Sequence, residues 1–477
     1  MAYKDLRQYL ERLDGAGLLR HVTAEVDKDW EISAVARHTF RSIAQDRRPA
    51  LMFENVKGHD IALVVGILGG SRTIYSMAME CPVDEAQDRW AQATAHPIEP
   101  RLVLEGPCQE EVYCDEQVEK VKLPTPVWTV GQDPGPYHTS PFVISKDPET
   151  GVQNVGTYRI QARDPRRVGI MINPPRNMNH HIRKNDALGK RTDVAIVFGT
   201  EPVTGLASVT PFPYGVDELA VAGGVRGEPV EVVRCKTVDL LVPATAEIVI
   251  EGQIPPGGRE PEGPFGEYAG YMGTAGSHPY VDVTCVTTRD KPIYQAFMSQ
   301  MPPSESSCIK QIGRESMIFR HLRDNLSLPV KDVHLPESGG ATGLLLISLA
   351  KQNFSQPLKA MWGAWSLHDV FGKITVVVDD DVDVRDPWQV EWAMSFRMQP
   401  ATDIRVYDET DALTLDPSQA DVSVANESPV RRRSSKVGID ATRKHTYPQL
   451  AVPPKEHMDT VARQWQRYGI AEVIPGP

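Results

Sequence analysis

Two glutamates frame a short turn in the segment Glu262-Gly-Pro-Phe-Gly-Glu267. The glycines let the backbone approach a ligand closely. Two carboxylates held near each other split their pKa values, and one can stay protonated as a general acid. Upstream, Asn154-Val-Gly-Thr-Tyr-Arg159 places an arginine in a strand-like run of a barrel-like region. Its charge needs a partner there. Glu262 or Glu267 can supply one, and the planar guanidinium also suits a substrate carboxylate. Asn154, the run Asn179-His180-His181-Ile182 and Glu218 of Tyr214-Gly-Val-Asp-Glu218 offer an amide oxygen, an imidazole and a carboxylate. That donor set suits Mn²⁺ or Mg²⁺. Without a function, the same residues read as a solvated acidic loop, a structural ion pair and a packed or surface histidine. Positions 154 and 159 differ by an odd number, so a regular strand would point them to opposite faces. A bulge near Gly156 would resolve this, as would a metal and an arginine that serve opposite ends of one ligand.

Other signatures fail on their geometry. The chain has no G-x-x-x-x-G-K-[ST], H-E-x-x-H or G-x-S-x-G pattern. Gly69-Gly-Ser-Arg72 reads as a turn. Asp379, Asp381 and Asp383 imitate the start of a calcium loop, but Val384 and Val390 stand where Gly and Glu are required, so a solvated strand end is expected. Ser307-x-x-Lys310 reads as a surface helix pair, and Arg431-Arg432-Arg433 as a solvated charged run.

The elements that must position these residues fall into three regions. Up to about residue 115 the pattern is α/β, with helices over 4–14, 31–42 and 84–94 and short buried strands in ALMFENV and IALVVGI. From Leu123 to about Ala296, short Val/Ile-rich runs separated by Pro and Gly predict an antiparallel sheet or barrel: NVGTYRIQAR, RRVGIMI, DVAIVFG, AEIVIEGQI and YVDVTCVTT. A helix is expected over Glu218–Ala222. After Pro302 the pattern is α/β again, with helices over 309–324 and 388–396 and strands over 343–349 and 373–378. A last amphipathic helix carries Met458, Val461, Ala462, Trp465 and Tyr468 and ends at Gly469. It follows Pro453-Pro454, which predicts that it docks on a partner rather than on its own domain.

The chain has 477 residues, 41% apolar and 24% charged, enough for several folded domains and unlike a disordered chain. A net charge of -12 excludes a phosphate-tracking nucleic-acid binder. The longest apolar runs, Ile61–Leu68 and Leu344–Ala350, fall far short of a membrane span. The N-terminal MAYKDLRQYLERLDG is too charged for a secretory signal. Six cysteines without a C-x-x-C pair predict reduced thiols and a cytoplasmic protein.

These pieces stand in the order found in the UbiD family of prenylated-FMN-dependent (de)carboxylases, and the chain resembles that family over nearly its whole length. The resemblance runs through YKDLRQYLERL, FENVKG, TPFPYGVDE, GEPVEVVRCKTVDLLVPATAEIVIEG, EGPFGEYAGYMG, KITVVVDDDVDV and SSKVGIDATRK. It implies a multidomain α/β architecture. An N-terminal α/β domain (1–120) and a C-terminal α/β oligomerisation domain (306–477) would flank a central split β-barrel cofactor domain (121–305) of flavin-reductase type. It implies that Arg159 holds the substrate carboxylate, that Glu267 donates the proton replacing it, and that Glu262 fixes Arg159. It implies that Asn154, His181 and Glu218 hold Mn²⁺ or Mg²⁺ against the phosphate of prenylated FMN, His181 being chosen over His180 because the family pattern places Ile after the ligand. Ser208, Thr210 and Pro211 would lie at the cofactor, the first two where K⁺ is contacted, and Lys373 would face the cofactor phosphate.

The chemistry explains that equipment. Losing CO2 from an sp² carbon leaves an electron pair that the ring cannot delocalise, and no side chain is an electron sink. The family implies reversible, non-oxidative decarboxylation of an aromatic, heteroaromatic or α,β-unsaturated acid through a covalent adduct with prenylated FMN. A flavin prenyltransferase would supply the cofactor, and the chain would form a homodimer or homohexamer. Two other classes fit parts of the pattern: a metal-dependent hydrolase using the Asn/His/Glu set without flavin, and a non-catalytic flavin-binding assembly subunit. The presence of Arg159, Glu262 and Glu267 together argues against the latter.

Overall fold

The computed structural model describes residues 3–174, 176–368, 371–411, 415–418 and 433–469. The first helix, Leu6–Gly15, is capped by Asp5, whose carboxylate accepts from the Gln8 amide. It buries Leu6, Tyr9, Leu10 and Leu13, the stripe set by helical periodicity. It packs by a four-stranded sheet in the order Leu19–Val22, Ala50–Phe53, Ala62–Val65, Ile293–Ala296. The last strand arrives from more than 200 residues downstream and pairs in parallel with Ala62–Val65, so the N-terminal sheet is closed by chain that has already passed through the centre of the molecule.

The central region is a ten-stranded, curled half-barrel sheet. Its spine is the 13-residue strand Gly276–Thr288, which pairs with Arg167–Ile170, Ile248–Ile254, Arg259–Glu262 and Glu111–Cys114. Thr192–Phe198 and Ile248–Ile254 form a seven-residue antiparallel ladder that is almost wholly buried. Phe142–Lys146 and Gln153–Thr157 form the edge hairpin that carries Ser145 and Asn154.

Beyond it, a five-stranded sheet runs Val330–His334, Leu344–Leu349, Ile374–Asp379, Arg433–Ala441, Ile404–Asp411. Helices Gln356–Leu367 and Pro387–Arg397 pack on it. Helix Glu305–Arg320 bridges the regions. Ser304 and Ser307 form a reciprocal capping box at its start, and the Glu305 carboxylate accepts from the Gly66, Leu68 and Gly69 amides of the N-terminal region.

Four expectations need correction. Cys114 and Cys285 lie opposite each other on adjacent antiparallel strands and form a disulfide; Cys81, Cys108, Cys235 and Cys308 are free thiols. Ser307 is buried and donates to Glu337, so Ser307-x-x-Lys310 is not a surface pair. Asp379 is also buried rather than solvated, because Arg397 bridges it to Asp381. The hairpin register runs regularly through Gly156, with no bulge there. The chain instead leaves the strand after Thr157 and re-enters the sheet at Ile160. That break, at Tyr158–Arg159, removes the strict alternation of faces. Gly156 is required for another reason: a Cβ there would sit 2.8 Å from the Tyr158 ring.

Arg431 and Arg432 lie outside the described residues. Helix Lys455–Arg463 buries none of its residues, and Met458, Trp465 and Tyr468 are exposed. No helix among the described residues is long and apolar enough to cross a membrane.

Candidate active site

Arg159 sits in the gap between two strands, and Glu262 is the last residue of a strand paired with Gly276. The guanidinium meets Glu262 in a two-pronged pair, Nε to Oε1 at 3.0 Å and Nη2 to Oε2 at 2.9 Å. Nη1 donates to Glu267 Oε1 at 2.5 Å. Glu262 is fully buried, whereas the Glu267 side chain keeps 20% of its surface. The two acids are therefore unlike. One is enclosed and the other keeps an accessible edge. Gly263 makes the turn at φ +86°, and a Cβ there would stand 3.4 Å from Arg159 Nη2. Burial pushes the Glu267 carboxyl above its ordinary range, against the pull of Arg159 and Lys310. Arg159 is held above its ordinary value: burial opposes the charge, but Glu262 and Glu267 outweigh it.

Asn154 projects from the edge hairpin, Glu218 opens helix Glu218–Arg226, and His181 lies inside helix Asn177–Ala187. Asn154 Nδ2 donates to Glu218 Oε1 at 2.6 Å, and the Val155 amide donates to Oε2 at 2.7 Å. Ser145, opposite Asn154 on the neighbouring strand, bonds His181 Nδ1 at 2.9 Å. Asn154 and His181 line one cleft with Asp147 and Tyr214. Asn154 Oδ1 is buried with no hydrogen-bond partner. Burial raises Glu218 to about 7 and lowers His181 to about 4, so the imidazole is neutral. An orphaned amide oxygen, a neutral imidazole with its Nε2 uncommitted and a buried carboxylate suit a divalent cation. Among the described residues no group of three or more His, Cys, Asp or Glu is placed to hold a metal ion, here or elsewhere; this set has one His, one Glu and an amide.

Asp147 ties the cleft together. Burial works against its charge, yet Lys184 and Tyr214 hold its carboxyl well below the ordinary range. Lys184 Nζ lies 2.8 Å from it and the Tyr214 hydroxyl 2.5 Å.

The Ser208 hydroxyl reaches Thr157 Oγ1 at 2.8 Å, on the Asn154 strand. Thr210 spends its hydroxyl on the Leu206 carbonyl, and Pro211 is exposed. Lys373 lies in the C-terminal region, where its amine pairs with Asp416 and Ser418 rather than with the Asn154 group. The exposed His180 packs edge-on against Tyr214.

Three neighbours escaped sequence reasoning. Asp133 is raised to about 6 by burial although the Trp128 and Thr129 amides bond it, and Arg159 acts on its charge. Ser145 holds His181. Lys310 stands over the Tyr268 ring at 4.2 Å. Only Lys310 carried a signal, within a short motif read as surface.

Residues 10–94, 101–302 and 308–441 match, respectively, the N-terminal, Rift-related and C-terminal domains of 3-octaprenyl-4-hydroxybenzoate carboxy-lyase (UbiD). The chain is similar to the UbiD-class enzyme HmfF from Pelotomaculum thermopropionicum in complex with FMN (TM-score 0.83, 35% identity, 95% of this chain and 98% of that one). It is similar to an evolved dimeric form of HmfF in complex with prFMN (TM-score 0.81, 36% identity, 94% and 97%). It also resembles vanillic acid decarboxylase from Sedimentibacter hydroxybenzoicus in its open form with truncated ShVdcD (TM-score 0.82, 27% identity, 98% and 100%). With its three regions in family order and an Arg159–Glu262–Glu267 cluster at the centre, the chain belongs to the UbiD family and is a carboxy-lyase.

Proposed function

We propose that this enzyme carries out non-oxidative, reversible decarboxylation of an aromatic, heteroaromatic or α,β-unsaturated acid with prenylated FMN. The observation that carries the reading is the asymmetric clamp on Arg159. The buried Glu262 fixes the guanidinium, while the more open Glu267 holds its other edge. Bound prenylated FMN supplies the electron sink that the side chains lack. Asn154, His181 and Glu218 would hold Mn²⁺ or Mg²⁺ at its phosphate, with K⁺ near Ser208 and Thr210 and Lys373 closing over the phosphate from the C-terminal region.

Arg159 presents Nη1 to the incoming carboxylate, and Glu262 keeps the fork in that plane. Burial raises the Glu267 carboxyl and so favours the acid form that a proton donor needs, while Arg159 and Lys310 pull the other way. When CO2 departs, Glu267 delivers that proton to the carbon that lost the carboxyl group. In the carboxylation direction it takes the proton back. Tyr268, next in the chain to Glu267, carries the Lys310 ammonium 4.2 Å from its ring centroid.

A flavin prenyltransferase supplies the cofactor, and the chain works as a cytoplasmic homodimer or homohexamer in which the exposed Lys455–Arg463 helix meets a second copy. The test is to purify the chain alongside a flavin prenyltransferase, record the flavin spectrum and metal content, and assay a panel of aromatic acids. A colourless, inactive protein overturns the reading.

A further inference from the structure

Asp147 lies in the turn of the hairpin that carries Asn154, where its amide donates to the Val152 carbonyl. Its side chain is 2% exposed, and two elements outside the hairpin reach it. Lys184 Nζ donates to Oδ2 at 2.8 Å and to Oδ1 at 3.1 Å. The Tyr214 hydroxyl donates to Oδ2 at 2.5 Å. Lys184 stands about one helical turn beyond His181, so it fastens the His181 helix to the hairpin. Tyr214 stands in the loop that runs from Ser208 and Thr210 to Glu218. Asp147 thus ties together the three elements that carry Asn154, His181 and Glu218.

The two ties are unlike. Lys184 is set in a helix and has Glu149 as a second partner at 2.8 Å. Tyr214 is 45% exposed, at the tip of a turn closed by the Val216 amide on the Pro213 carbonyl. Gly215 completes that turn at φ +87°, and a Cβ there would meet nothing within 4 Å, so that side of the tip is open. Tyr214 is held by its hydroxyl on Asp147 and by its ring, edge-on to His180 and His181 with centroids 5.2 and 5.9 Å away. Tyr214, Gly215 and Val216 line the same cleft as the buried Asn154 and His181. Swinging the tip outward widens that cleft and uncovers a carboxylate oxygen on its lining. Exposed turns with few packed contacts are where a fold opens locally at least cost.

We infer that Tyr214 is the gate through which a divalent cation reaches and leaves Asn154, His181 and Glu218. With the hydroxyl on Asp147 the cleft is shut. With it released, the cation enters past the Asp147 carboxylate, whose Oδ2 has given up one bond, and passes on to Asn154 and His181. The hydroxyl bonds none of the three donors, so it governs how fast the cation moves rather than how tightly it is held. The gate rests on the cation reading of those three residues and adds a route to it.

The test uses the FMN-loaded full chain with Mn²⁺ alone as the probe. Release is timed by stopped flow into excess chelator dye, and uptake by mixing Mn²⁺ with the metal-stripped protein. Kd is measured separately from the electron-spin resonance of free Mn²⁺. Tyr214→Phe keeps the ring against both histidines and removes only the hydroxyl. It is expected to speed release and uptake alike by about tenfold or more, the range of a charge-assisted hydrogen bond, with Kd within about twofold of wild type. Tyr214→Ala is expected to be at least as fast. Wild-type rates in either variant overturn the gate. So does faster release with unchanged uptake, since Kd then weakens by the same factor and Tyr214 is a brace for the donors. A wild-type protein that takes up no Mn²⁺ overturns the cation reading itself.

Discussion

Glu267 is set apart from Glu262 by exposure rather than by chemistry, and their substitutions should separate accordingly. Glu267→Gln is expected to lower turnover by about 10²–10⁴-fold, with flavin content unchanged in the purified protein. Wild-type turnover in that variant removes Glu267 from the proton-transfer step. Because burial raises its pKa, the acid form is lost only as pH climbs above the ordinary carboxylate range. The kcat profile should therefore fall on its alkaline side with a slope of one proton. Arg159→Met acts differently. It strips the partner from a fully buried carboxylate, and about 3 kcal/mol of folding stability should go with the activity, read by chemical denaturation.

At the scale of elements, the proposed metal-holding set of Asn154, His181 and Glu218 depends on a hairpin and two helices that meet only after folding. Ser145→Ala frees His181 Nδ1 and lets the ring choose the wrong tautomer. The expected result is a 10–100-fold weaker hold on Mn²⁺, measured by metal titration, with the fold unchanged by circular dichroism. Helix Glu305–Arg320 has its own pH signature. Burial raises Glu305 from 4.5 to about 7, so the folded state binds its proton more tightly than the unfolded chain does. The contribution is greatest below pH 4.5 and declines as pH rises to about 7. Glu305→Gln should flatten that part of the stability–pH curve. A slope equal to wild type would show that the helix start is not the titrating element.

Across the whole molecule, one covalent link joins chain segments 171 residues apart, from Cys114 to Cys285. Alkylation under denaturing conditions without reductant should label four of the six cysteines, and all six after reduction, as read by intact mass. The three regions converge on the Glu267 loop. Glu305 bonds the N-terminal turn, Lys310 reaches the central loop and Arg314 the C-terminal loop. The Glu267 loop thus lies at a junction of the three regions, with one helix touching each of them.

Much of this was legible in one dimension. Residues that repeat at a period of two or 3.6 must bury one face, so the strands around Thr192–Phe198 and the helix with Leu6, Tyr9, Leu10 and Leu13 follow from pattern. Glu262 and Glu267 announce themselves because a Gly-Pro-Phe-Gly turn holds two acids together locally. Helix Asn177–Ala187 was hidden because the face it buries includes His181 and Asn185, and Pro202–Val209 because it is buried on every side. The Cys114–Cys285 bond, the closing strand Ile293–Ala296 and the approach of Lys310 to Tyr268 join positions far apart in the chain. Spacing carries no information about such contacts. They exist because the half-barrel curls and because the helix of Lys310 crosses all three regions, which is a property of packing in three dimensions.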